Sequence, residues 1–206
     1  MTTLVIASGN AGKVREFAAL LSELSLDVQP QPDGFEVEET GSTFAENARL
    51  KAIAVARITG CWALADDSGL SVDALGGAPG VHSARYADSD AARIERLLQE
   101  LNDAGAIDPE ARSARFTAAL ALADPNGRVV LEVEGHCQGQ TLMEPRGDGG
   151  FGYDPVFFVP EAQLTFAEMP KALKAQLGHR GRAFKAIRPL LIKKTKTFET
   201  SHHNQS

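Results

Sequence analysis

An α/β fold, with a mixed β-sheet flanked by helices, is what the pattern of this chain predicts, and three observations carry the prediction. The β-branched apolar run TLVIAS ends in the turn SGNAGK, after which Val14, Phe17, Leu20, Leu21 and Leu24 recur at helical spacing. A second apolar run, Cys61 to Ala65, reads as a short buried strand that delivers DDSG at its end. Two further runs, Arg115 to Ala123 and Arg128 to Cys137, flank DPNG, where Asn126 and Gly127 are expected to supply the positive φ angles of a tight hairpin. A strand-helix start followed by an antiparallel hairpin calls for a mixed sheet.

The other elements follow in order. Thr43 and Glu46 form a capping box that opens a helix over 43–59, and Gly60 ends it. Residues 69–88, with GGAPG in the middle, read as a long irregular loop with one short strand. Asp90 is expected to cap a helix running through Asn102. Beyond the Gly-rich GDGGFGYDP, VFFV reads as a strand, followed by a short helix over 161–168 or 170–177 and a last helix from Arg180 to Lys193. Residues 1–192 read as one domain, and 193–206 as a polar, frayed tail in which His202 and His203 have no assigned task.

Composition narrows the class. A chain of 206 residues with 43% hydrophobic residues buries roughly 70% of its unfolded surface, enough for a core without disulfides or a structural metal. Its longest apolar stretch, 116–123 with Thr117 forgiven, is far short of the ~18 residues that span a bilayer. The start MTTLVIASGN carries no basic leader, and Cys61 and Cys137 make neither a disulfide framework nor a zinc spacing. A cytoplasmic protein with free thiols and no membrane partner is the expectation. The net charge is −6, yet nine Lys or Arg and no acid lie between Pro170 and Phe198. Such a local basic segment on an acidic chain suits a small anionic ligand better than a nucleic-acid polymer.

Four clusters bear chemistry. In SGNAGK, a turn from strand to helix aims backbone N–H groups and the positive helix end at one spot, and Lys13 adds a full charge, so a phosphate fits there. It is no P-loop, because Val14 stands where a Ser or Thr is needed. Glu38 and Glu39 precede a helix, and Asp66 and Asp67 follow a strand; alternation sends the two aspartates to opposite faces, so one site will not use both equally. Carboxylates beside a phosphate turn repel one another unless a cation sits between them, and Mg²⁺ is the natural choice. In GGFGYDP, open glycines let an aromatic ring approach a base closely. Lys174 and the run His179-Arg180 could donate hydrogen bonds to carbonyl or phosphate oxygens. Taken singly, each cluster also has a plain reading as a turn, a cap, a core aromatic or a solvated charge.

Together they are more specific. SGNAGK, EETGSTFAENARLKA, ALADDSGLSVDALGGAPGVHSARYA, GGFGYDPVFFVP and TFAEMPKALKAQLGHRGRA resemble, in this order and over residues 3 to about 192, the inosine triphosphate pyrophosphatase family, whose bacterial members act on dITP and XTP. The resemblance implies an elongated, curved sheet, two lobes with a central cleft, and a homodimer. It implies Mg²⁺-dependent hydrolysis of non-standard purine nucleoside triphosphates to monophosphate and pyrophosphate, with a small-molecule nucleotide as partner. By the same resemblance Ser8, Gly9, Asn10, Ala11, Gly12 and Lys13 bind the triphosphate. Glu38 and Asp67 hold the metal, and Asp67 is also the proton acceptor. Ser68, Phe151, Gly152, Tyr153, Asp154, Lys174, His179 and Arg180 complete substrate binding. One departure stands out: the family reads Ser-His-Arg where this chain has Gly178-His179-Arg180.

Overall fold

The computed structural model describes residues 2–201. The opening run forms β1 (Thr2–Ala7), and α1 (Ala11–Leu21) follows, capped by the Asn10 side chain on the Lys13 N–H. β2 (Leu26–Pro30), which the pattern did not announce, pairs parallel to β1. α2 (Phe44–Thr59) opens on the expected capping box of Thr43 and Glu46 and closes at Gly60 with φ 65°. That is the left-handed conformation for which glycine carries no Cβ penalty.

β3 (Trp62–Val72) runs parallel to β1 and is far longer than expected. Asp66 and Asp67 therefore sit inside a strand, not at its end. The strand continues because Leu70 and Val72 are fully buried and β3 is an inner strand of the sheet, between β1 and β4 (Ser113–Ala123). What read as a loop over 69–88 is thus the last part of β3 followed by two short 3-10 segments, Asp73–Leu75 and Gly80–Arg85.

The helix α3 (Asp90–Asp103) is capped by Ser89, whose side chain accepts from the Ala92 N–H, so Asp90 is its first residue and not its cap. A 3-10 segment, Pro109–Arg112, leads into β4 and places Arg112 in the interior. Its guanidinium donates to the carbonyls of Ala106, Thr141 and Leu142, which satisfies most of its donors without an acid.

β4 and β5 (Val129–Thr141) are joined through Asp124–Arg128. Only Gly127 takes positive φ, 77°; Asn126 does not. The Asp124 carboxylate receives the N–H groups of both Asn126 and Arg128, and this Asx-type bracing does what a second left-handed residue was expected to do. β6 (Phe157–Val159) and β7 (Leu164–Thr165) add antiparallel pairs, giving a seven-stranded open mixed sheet in the order β2-β1-β3-β4-β5-β6-β7. α4 (Lys171–Leu177) takes the second of the two expected ranges. α5 (His179–Ser201) extends past Lys193, so the first part of the supposed tail is helical; His202 and His203 lie outside the described residues.

The chain divides into two compact units. The first holds the chain through Asp67, Ala119–Glu134 and the residues from Ala183 onward; the second holds Ser68–Ala118 and Gly135–Arg182. Each has its own core. In the first, Val5, Ala63, Ala65 and Ala119 of the strands pack against Ala48, Ala52, Val55 and Ala56 of α2, where small side chains let helix and sheet approach closely. In the second, Leu97 and Leu101 of α3 join Phe116, Phe157, Phe166 and Val159. The Phe116 and Phe157 rings meet edge to face at 4.7 Å. No helix among the described residues is long and apolar enough to cross a membrane.

Replacing Thr43 with Ala should cost about 1 kcal/mol, because the Glu46 N–H loses its capping acceptor. Urea unfolding with an unchanged slope and a lower midpoint is the expected outcome.

Candidate functional site

In the first unit, three carboxylates and two ammonium groups meet around the middle of β3. Lys13, in the first turn of α1, lies 3.1 Å from Asp66 Oδ2. Lys51, on α2, lies 3.0 Å from Asp67 Oδ1 and 3.0 Å from Glu39 Oε1, and donates to the Asp66 carbonyl at 2.8 Å. Asp66 pairs with Lys13 and Asp67 with Lys51, yet the two aspartates belong to one charge group, although strand alternation points their side chains to opposite faces. Both are almost wholly buried, at 1% and 5% exposure. Asp67 Oδ2 is buried with no hydrogen-bond partner.

The titration directions follow burial as well as charge. Burial pushes the Asp67 carboxyl above the ordinary aspartate value; Lys51 and Lys13 pull it back, and Glu39 adds to the push. Burial also works against the Lys51 ammonium, but Asp67, Glu39 and Asp66 outweigh it and raise its pKa. A lone ion pair would lower its acid and raise its base. Here the base rises and the acid rises too, because at Asp67 burial outweighs the pull of the two lysines.

Glu38, the acid that the resemblance pointed to, is exposed, while Glu39 is the one that reaches Lys51. The two are neighbours on one chain segment, and the position of Lys51 selects Glu39. Asn47, one helical turn before Lys51, accepts the Gly41 N–H at 2.7 Å, so α2 holds the segment on both sides of Thr40. Neither Lys51 nor Asn47 was singled out from the sequence. The signal was present: Lys51 lies on the stripe of α2 that otherwise buries Ala48, Ala52 and Val55, where a lysine needs a buried acid.

The SGNAGK turn has the expected form. Ser8 Oγ accepts the Asn10 N–H at 3.1 Å, and Asn10 Oδ1 accepts that of Lys13 at 3.1 Å. The N–H groups of Ala11 and Gly12, in the first turn of α1, have no acceptor within the helix. Gly9 is exposed, and a Cβ there would meet only ordinary contact.

In the second unit, the remaining expected residues form another cluster. Asp154 Oδ2 accepts the Phe151 N–H at 3.0 Å and the Lys174 ammonium at 2.7 Å, so this buried carboxylate braces the loop from within. Lys174 and Arg180 stand 5.0 and 5.3 Å from the centre of the Phe151 ring. Arg180 donates to Ser68 Oγ at 2.6 Å. His179 is buried and stacks on Phe116 at 4.6 Å and Phe166 at 5.8 Å. Gly152 follows Phe151 with φ 62°, and the Tyr153 hydroxyl donates to the Ser83 carbonyl at 2.8 Å. Gly178 has a local reason: a Cβ there would stand 2.5 Å from the Lys174 carbonyl, which itself accepts the Gly178 N–H at 2.7 Å.

Residues 4–190 match the family model described as Ham1 family. The chain belongs to the Ham1 family. Among its Ham1 relatives, a protein of Parasynechococcus marenigrum named dITP/XTP pyrophosphatase is 63% identical over 93% of this chain and 95% of the relative. A Synechococcus protein of the same name is 64% identical over 92% and 90%. The solved structure of a HAM1 protein from Coxiella burnetii superposes with a TM-score of 0.84 at 43% identity, covering 94% of this chain and 100% of that one. The sequence resemblance and the α/β fold are thereby borne out.

Lys51→Met should destabilise the protein by roughly 3 kcal/mol at neutral pH, since it strands two carboxylates beside a buried third. In that variant the folded-state carboxyl pKa values lie above the unfolded ones. The folded state then binds more protons, and its stability rises as pH falls. Urea unfolding of both proteins should therefore show the gap at pH 7.5 narrowing toward pH 5.

Proposed function

We propose that this chain hydrolyses non-standard purine nucleoside triphosphates, dITP, ITP and XTP, to the nucleoside monophosphate and pyrophosphate, with Mg²⁺ as its metal. The observation that carries the proposal is the group of Lys13, Lys51, Glu39, Asp66 and Asp67, with one carboxylate in excess, beside a helix N-terminus suited to phosphate. The names of relatives at 53–64% identity support the same reaction.

Lys13 and the first-turn amides of α1 are placed to hold phosphate oxygens. Among the described residues no three His, Cys, Asp or Glu side chains form a ready-made metal cluster. Mg²⁺ does not require one, since it commonly takes one or two carboxylates and fills its other positions with substrate phosphate and water. The orphaned Oδ2 of Asp67 fits that demand; the motif resemblance gives Glu38 as the second ligand, and Glu39 beside it is the acid in reach of the same lysine. When bound, Mg²⁺ supplies positive charge to offset that growing on the phosphate oxygens. Asp67 is also the proton acceptor. Burial makes its carboxylate more basic than a solvated aspartate, while Lys51 and Lys13 act in the opposite direction.

The second unit's cluster suits the purine. Phe151 offers a flat face, and Arg180 and His179 offer donors. Hypoxanthine and xanthine carry a carbonyl at C6, whereas adenine carries an amino group, which would set donor against donor. A buried unmatched donor costs about 1–3 kcal/mol, more when it is charged, so ATP is a poor substrate. Guanine shares the C6 carbonyl, and its rejection falls to the 2-position. The proposal carries a cytosolic location, where the nucleotide pool lies, and the homodimer that the motif resemblance implies.

A substrate panel of ITP, XTP, dITP, ATP, GTP and dTTP with Mg²⁺ should yield pyrophosphate from the first three. Orthophosphate as the direct product contradicts the proposed cleavage position. Asp67→Asn should fold normally and lose at least ~100-fold in kcat. For the parent protein, kcat/KM should fall on acidification with a midpoint above the ordinary aspartate pKa, because burial raises that of Asp67 and only its ionised form accepts a proton.

A further inference from the structure

The ring of Phe151 hangs between two glycines with positive φ, Gly150 at 72° and Gly152 at 62°. A backbone of this kind has little intrinsic preference for one course, so what fixes the ring must be the hydrogen bonds made by the loop. There are three. Asp154 takes the Phe151 N–H, and Tyr153 gives its hydroxyl to the Ser83 carbonyl. The third comes from outside the motif: Asp90 Oδ2 accepts the Gly152 N–H at 2.8 Å.

Nothing else in the helix needs Asp90 for this geometry. Ser89 already caps α3, and Asp90 is half-exposed. Its other oxygen, Oδ1, is held by Arg93 at 2.7 Å, and Arg93 is held in turn by the Ala87 carbonyl at 3.0 Å. The carboxylate is thus oriented from one side and used on the other. We propose that Asp90 is a positioning residue for the nucleotide base, holding the Gly152 amide so that the Phe151 ring keeps its place beside Lys174 and Arg180. This rests on the reading of Phe151 as the stacking partner of the purine.

The discriminating variants are Asp90→Ala, which removes the acceptor, and Asp90→Asn, which keeps an acceptor oxygen without the charge. Asp90→Ala should raise KM for ITP on the order of tenfold with kcat little changed, because binding geometry and not chemistry is disturbed. Asp90→Asn should restore the parent KM. Inhibition by inorganic tripolyphosphate, which has no base, should be the same in all three proteins. The unfolding midpoint should fall only slightly in Asp90→Ala, as α3 loses its first-turn acid and the Arg93 pair. Amide exchange followed by mass spectrometry should be faster over residues 150–154 in Asp90→Ala and normal in Asp90→Asn, whatever the protein acts on.

A parent-like KM and exchange rate in Asp90→Ala overturn the proposal. So does an Asn variant as impaired as the Ala variant, or a parallel weakening of tripolyphosphate inhibition. A parent protein that does not hydrolyse ITP overturns the functional reading instead, and the exchange measurement then decides the tether alone.

Discussion

Two ammonium groups shared among three carboxylates are the constraint on which the first unit depends. Lys13 and Lys51 reach Asp66, Asp67 and Glu39 at about 3 Å, and all five sit at or near an inner strand. Burying carboxylates is costly even beside lysines, and the geometry of the pairs has to be held for the attraction to offset that cost. The unmatched oxygen of Asp67 is where the deficit shows. The capping box of α2, the Asn47 brace and the small-residue packing of α2 on the sheet all act on the elements that carry these charges. Together they fix Lys51 and the Glu39 segment against the strand, so that the charges cannot drift apart into solvent.

The second unit solves a different problem, that of holding donors on two helices beside a ring on a glycine-flanked loop. Glycine is required at 150 because a Cβ would stand 2.0 Å from Asp154 Oδ2, and at 181 because it would stand 1.7 Å from the Ala175 carbonyl. Close approach thus shapes both the loop and the start of α5. Phe116, Phe166 and His179 lie nearly parallel to one another while Phe157 meets Phe116 edge on, so the imidazole is packed among rings.

Local signals were legible where the physics is local. The Thr43 to Glu46 capping box, the Gly60 stop and the strand-to-helix turn at SGNAGK could be read because cap and turn chemistry is settled within a few residues. Tertiary choices were not. β3 continues through DDSG because its neighbours bury it, not because Asp-Asp-Ser-Gly favours a strand. Glu38 and Glu39 cannot be told apart without knowing where Lys51 lies, and Arg112 in the interior gives no sign in the sequence. The α/β class and the family could be read from five motifs in order. Which acid faces the lysine could not.

The choice between those two glutamates is the most direct test of the charge account. Calorimetric titration of Mg²⁺ into the parent protein, Glu39→Gln and Glu38→Gln asks which carboxylate shares the deficit with Asp67. Glu39→Gln should weaken binding at least tenfold while Glu38→Gln binds as the parent does, in keeping with the loss of a ligand. Weakened binding in Glu38→Gln with a parent-like Glu39→Gln would contradict the account.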